Sequence, residues 1–173
     1  FLPPDNLSCG LLETEVARIL RREENRTLFQ PIVNLLDGSV FGYEALSRGP
    51  EGSMLETPAI LFATAEQEGV MWELEYACRR LAIARFAAFH CEAHLFLNVN
   101  PLVIHDPRFR EGMTKEYLAM MALSADHIVF ELTEQAAISN YHEFSSLLDH
   151  YTAQGFRLAI DDAGAGYAGW NMI

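Results

Sequence analysis

The sequence predicts an α/β fold, a parallel sheet with helical crossovers. Short β-prone runs rich in Val, Phe, Leu and Ile recur at residues 28–36, 39–46, 94–98, 127–134 and 156–160. The stretches between the later runs are long enough for helices, and strand alternating with helix argues for parallel pairing. Carboxylate or amide side chains sit where the runs close: Glu44, Asn98, Glu131 and the adjacent pair Asp161 and Asp162. In a parallel barrel every strand's C-terminal end opens on one face, and that face holds the active site. These residues, far apart in sequence, are therefore expected to meet at one mouth.

Each element has its own reason. Residues 11–22 read as an amphipathic lead-in helix with Leu12, Val16, Ile19 and Leu20 on one stripe. Residues 28–36 and 39–46 form a hairpin around Asp37-Gly38, a strong turn dipeptide. After a loop over 50–58, Thr57 as N-cap and Pro58 at the first helical position open a helix that Gly69 ends. A longer helix over 72–89 offers Leu74, Cys78, Leu81, Ile83 and Phe86 to the sheet. Pro101 stops regular pairing after the next strand, since proline cannot donate to a ladder. Helices over 114–123 and 140–154 follow, with Gly155 placed as a C-cap glycine ahead of the last strand.

A chain of 173 residues is enough for one domain with a real core. A complete eight-unit barrel takes about 250 residues, so one incomplete domain is expected. The opening Phe1-Leu2-Pro3-Pro4, without an initiator Met, reads as a domain excised from a larger protein. Net charge is −12, from 24 acidic and 12 basic residues. That balance argues against a duplex nucleic-acid binder or an anionic-membrane surface, both of which need basic patches. Cys9, Cys78 and Cys91 form no CxxC pair, and the histidines show no paired ligand spacing, so neither a disulfide framework nor a zinc ribbon is suggested. Cys78 reads as a buried free thiol, and His90 and His94 as boundary residues. No apolar run approaches the roughly 20 residues that span a membrane. A cytoplasmic location is expected, with any membrane anchor of the parent protein in other segments.

Asp161 and Asp162 precede a glycine-rich turn, Gly164-Ala165-Gly166. Carboxylates clustered at a sheet rim bind hard divalent cations. A single such motif also fits an ordinary acidic turn, and the weight comes from its repetition along the chain. Five ordered motifs then point to a known family. Tyr43-Glu44-Ala45-Leu46-Ser47-Arg48 resembles the Glu-Ala-Leu signature of EAL domains, and Phe29-Gln30-Pro31-Ile32 is similar to their opening strand. Asn98-Val99-Asn100-Pro101 resembles the Asn-x-Ser-Pro segment, and Glu131-Leu132-Thr133-Glu134 the Glu-x-Thr-Glu segment. Asp161-Asp162-Ala163-Gly164-Ala165-Gly166-Tyr167 resembles the Asp-Asp-Phe-Gly-x-Gly-Tyr loop. The resemblance runs from about Leu28 to the last residue. It divides the chain into a lead-in over 1–27 and the N-terminal two-thirds of an EAL domain over 28–173.

The resemblance implies a modified TIM (β/α)8 barrel of the EAL type, of which about the first five strands are in this chain. It implies hydrolysis of cyclic di-GMP to linear pGpG with two Mg²⁺ or Mn²⁺ ions, in bacterial second-messenger signal transduction. Divalent ions lower the pKa of water and neutralise phosphate charge, and Mg²⁺ favours carboxylate, amide and water oxygens. By resemblance, Glu44, Asn98, Glu131 and Asp161 are metal ligands, Asp161 bridges both ions, and Asp162 belongs to the second site. Glu44, Asp161 and Asp162 are the implied catalytic residues, while Gln30, Leu46, Arg48 and Glu75 are implied substrate contacts. Arg48 suits a phosphate because a guanidinium holds two oxygens at once. For Glu75 a solvated helix charge is an equally good reading. Glu134 is implied to order the loop after Asp162, and a first-turn helix acid is compatible with that role.

Three positions depart from the pattern: Ala163 replaces Phe, Ala168 replaces Ser, and Asn100 replaces Ser. The family's later Lys, Glu and Gln-Gly motifs would fall past Ile173, so the segment by itself is expected to be inactive. The family also implies a homodimer through the Asp-Asp loop and the helix after it, with Tyr167, Ala168 and Trp170 available to pack. The alternative is a catalytically inactive EAL domain that serves as a cyclic di-GMP receptor or a protein-interaction module.

Overall fold

A computed structural model describes residues 13–100, 106–133 and 141–161. A short helix α1 (Glu15–Arg21) leads into strands β1 (Arg26–Val33) and β2 (Val40–Arg48), then helices α2 (Pro58–Glu68) and α3 (Met71–Ala87). Strand β3 (His94–Asn98), helix α4 (Met113–Met120), a 3₁₀ turn (Ala125–His127), strand β4 (Ile128–Thr133), helix α5 (Tyr141–Ala153) and strand β5 (Arg157–Asp161) complete the order. The five strands form one sheet in chain order. β1 runs antiparallel to β2, and β2 through β5 are mutually parallel. The predicted α/β class and the hairpin both hold.

Among the described strands β1 is outermost, with Pro31 inside it opposite Tyr43, where a residue without an N–H is tolerated. Gly69 ends α2 with φ +69°, and the amides of Gly69 and Val70 return to the carbonyls of Glu66 and Ala65. This is the Schellman arrangement, and it lets α3 start two residues later. Thr57 takes the predicted N-cap backbone but makes no side-chain cap bond. Pro58 fixes φ at the first turn without it.

Alternation along the strands makes two unlike faces. One packs on the helices and forms the main core, with Leu95, Leu97, Ile128, Phe130 and Leu132 against Ala82, Ile83 and Phe86 of α3, Leu118 of α4, and Leu147 and Tyr151 of α5. A second cluster joins Val16 and Ile19 of α1 to Leu61 and Ala65 of α2 and Leu74 and Cys78 of α3. This corrects the expectation that all of α3's apolar residues face the sheet. Leu74 and Cys78 pack on the two preceding helices, and it is Ala82 rather than Leu81 that joins the buried sheet-facing group. Cys78 is a buried free thiol, as predicted. No helix among the described residues is long and apolar enough to cross a membrane.

Candidate functional site

The other sheet face carries the predicted residues, and the strand register shows why. Gln30 pairs with Glu44, Glu44 lies level with Phe96, Asn98 with Glu131, and Thr133 with Asp161. Side chains two apart on a strand share a face. Gln30, Glu44, Leu46, Arg48, Phe96, Asn98, Val129, Glu131 and Asp161 therefore all line the side away from the helices. Phe96 and Val129 are buried and form an apolar floor beneath the polar groups. Gly42 completes that floor, because a Cβ there would stand 2.6 Å from the Phe96 ring and 2.8 Å from the His94 carbonyl oxygen.

The polar groups are staggered rather than level. Asn98 and Glu131 are neighbours across β3 and β4, Glu44 lies one pleat lower on β2, and Asp161 one pleat higher on β5. Glu44 was expected where its strand closes, but β2 continues to Arg48 because its pairing with β1 runs on to Arg26. The Asn98 amide bridges the step, with Nδ2 donating to Glu44 Oε1 at 3.0 Å. That bond leaves the Asn98 carbonyl oxygen as its group for a cation.

Glu131 carries the electrostatic signature of the site. Burial, with the carboxylates of Glu44 and Asp161 adding to it, pushes its carboxyl up to about 7. Its Oε2 is buried without a hydrogen-bond donor. A buried acceptor lacking a donor, facing two more carboxylates, is what a divalent cation would correct. Among the described residues no three His, Cys, Asp or Glu side chains form a ready-made cation cage. The donor set identified here relies on an amide, Asn98, and on Asp162, which lies outside the described residues. Carboxylate and amide oxygens are the donors that Mg²⁺ and Mn²⁺ take.

Gln30 is exposed, and Leu46 and Arg48 are partly exposed on the same face. Arg48 Nη1 donates to the Ser47 carbonyl at 2.8 Å. Glu75 sits elsewhere. It is 8% exposed on α3, in the layer on the far side of the sheet. Burial pushes its carboxyl up to about 7 against the opposing pull of Arg79 and of the Asn100 amide, from which it accepts. A solvated helix charge is therefore the wrong description of Glu75. No local pattern distinguishes it, because Glu73 and Glu75 look alike in an acidic helix start. Asp162, Glu134, Tyr167, Ala168 and Trp170 lie outside the described residues.

A model of the EAL domain family matches residues 13–173, and the chain belongs to that family. It is similar to an uncharacterized signaling protein of Caulobacter vibrioides, 30% identical over 146 residues that cover 84% of this chain and 18% of the relative. It is also similar to the cyclic di-GMP phosphodiesterase NbdA of Pseudomonas aeruginosa, 30% identical over 166 residues, 91% of this chain and 21% of that protein. Among solved structures, the manganese/cyclic di-GMP complex of Klebsiella pneumoniae BlrP1 superposes with a TM-score of 0.75 at 27% identity, over 86% of this chain and 37% of the other. The chain thus spans well under half of each of these proteins. The five-stranded sheet, parallel after its first strand, is part of the TIM-type barrel of this family.

Proposed function

We propose that this domain hydrolyses the second messenger cyclic di-GMP to linear pGpG, dependent on two Mg²⁺ or Mn²⁺ ions. The observation that carries the reading is Glu131, whose buried Oε2 lacks a donor beside the carboxylates of Glu44 and Asp161. Similarity to a cyclic di-GMP phosphodiesterase and to a manganese/cyclic di-GMP complex supports it. When bound, the ions supply a lowered pKa for water and positive charge against the phosphate. Glu44, Asn98, Glu131 and Asp161 would hold them, together with Asp162. The Asn98–Glu44 hydrogen bond orients both side chains before any ion arrives, which is how outer contacts tune a metal site. Arg48, on the same face, takes a phosphate of the substrate through its guanidinium. Gln30 and Leu46 border the same surface, and the apolar floor of Phe96 and Val129 excludes water from below.

Chromatography of reaction mixtures of the full-length protein tests the reading. pGpG is expected with Mg²⁺ or Mn²⁺, and little with Ca²⁺, whose longer and looser coordination polarises water less. Glu44→Ala is expected to abolish turnover, since it removes a carboxylate and the acceptor for Asn98. Tight cyclic di-GMP binding without any pGpG would refute the hydrolase and establish a receptor.

A further inference from the structure

We propose that Arg26 is a positioning residue that keeps the Arg48 guanidinium open to a phosphate of the substrate. It does so by taking up both carboxylates of the loop after β2, Glu51 and Glu56. The phosphate assigned to Arg48 rests on the function proposed above, while the contacts of Arg26 do not. Arg26 and Arg48 are directly opposed across the β1–β2 pair, so their side chains leave the sheet on one face, with Cβ atoms roughly 5 Å apart. Two like charges so placed repel one another unless one of them is neutralised.

The one that is neutralised is Arg26. Its Nη2 donates to Glu56 Oε1 at 2.8 Å, its Nη1 to Glu51 Oε2 at 3.2 Å, and its Nε to the Gly49 carbonyl at 3.1 Å. All three nitrogens of the guanidinium are engaged. The Glu51 side chain is 82% exposed and adds little, so Glu56 is the partner that matters. Glu56 is also held by its own loop, with Oε2 accepting from the Gly52 amide at 2.9 Å and its carbonyl from the Gly49 amide at 3.1 Å. The Gly52 amide first, and Arg26 next, hold the Glu56 carboxyl below the usual carboxylate range, and Arg48 acts on it through space. Arg48 therefore stands near an acid that another arginine already occupies. Its Nη1 donates to the Ser47 carbonyl at 2.8 Å, and it forms no ion pair among the described residues. With Arg26 removed, Glu56 would be free to turn toward Arg48 and cancel its charge.

The test uses the full-length protein, with KM and kcat for cyclic di-GMP measured in Mn²⁺ and its Kd measured in Ca²⁺. Arg26→Met is expected to raise KM and Kd about fivefold, the reach of an exposed ion pair that now competes for Arg48, with kcat unchanged. Adding Glu56→Gln to Arg26→Met should return KM toward wild type. Placing Arg26→Met on Arg48→Ala should raise KM no further. If Arg26 only held the loop together, both results would reverse: Glu56→Gln would loosen the loop more, and the penalty would survive the loss of Arg48. Either reversal, or an unchanged KM in Arg26→Met, overturns the proposal. A wild type that neither binds nor hydrolyses cyclic di-GMP would defeat the functional reading, and the crystal structure of Arg26→Met then judges Arg26. Glu56 turned to Arg48 would support its role, and Glu56 in its original place would overturn it. If Arg26→Met does not fold, Arg26→Gln, which can still donate to the Gly49 carbonyl but brings no charge, carries the same comparisons.

Discussion

Replacing Glu131 by Gln is expected to stabilise the metal-free protein while destroying its capacity for metal. In the fold the Glu131 carboxyl is pushed from 4.5 to about 7, by burial first and then by Glu44 and Asp161. A raised carboxyl means that the folded state holds the proton more tightly than the unfolded chain. Below about pH 4.5 both states are protonated and Glu131 carries no penalty. As pH rises from there through about 7, the folded protein loses stability, and above that the loss is complete. Full conversion of the shift gives roughly 3 kcal/mol. Glu131 is only half-buried, and solvent screening brings this to about 1–2 kcal/mol.

Gln mimics the protonated acid at every pH. Urea denaturation in EDTA should therefore find Glu131→Gln about 1–2 kcal/mol more stable than wild type near pH 8 and equal to it near pH 4. Glu75 titrates over the same window, so both proteins retain a common slope and the difference between them isolates Glu131. Adding Mn²⁺ should raise the wild type and leave the variant unmoved. A variant no more stable than wild type near pH 8 would refute the argument. It would mean that the neighbouring carboxylates already find compensation in the metal-free fold.

Arg48→Ala should raise KM about 10–100-fold and change kcat little, as expected for loss of one charged hydrogen bond to phosphate, and steady-state kinetics would check it. Gly49→Ala should destabilise by about 1–3 kcal/mol or more, because its Cβ would lie 2.1 Å from the Leu55 carbonyl oxygen and only backbone can yield there. Thermal or urea unfolding measures this directly.

Much of the fold was legible in the sequence because local chemistry and tertiary structure agree. Asp37-Gly38 marks the hairpin, Gly69 and Gly155 end helices at φ +69° and +87°, and the apolar runs became strands. What escaped reading depends on neighbours that no local pattern specifies. α3 is apolar on two sides, so period alone could not assign Leu74 and Cys78 to the helices and Ala82 and Ile83 to the sheet. β2 outruns Glu44 because its partner strand is long. The co-facing of Glu44, Asn98, Glu131 and Asp161 was predictable once each lay on its strand, since a period of two fixes the face. The step between Glu44 and Asn98, and the hydrogen bond across it, required the register.

The lead-in helix has a mechanical side. α1 is only seven residues long, too short to persist in water by itself. Its first turn is closed from outside, with the Glu15 and Val16 amides donating to the two carboxylate oxygens of Glu68 at 3.1 and 3.0 Å. Glu68 is the last residue of α2, where its own helix dipole repels a negative charge. Seated, that charge is shared with the positive end of α1. Unseated, it would stand alone at the wrong end of α2, and Val16 and Ile19 would leave their cluster with Leu61 and Ala65. The two helices therefore behave as one latch. A pull on the chain ahead of Glu15 is felt first at the end of α2, which leads through Gly69 directly into the helix that carries Glu75.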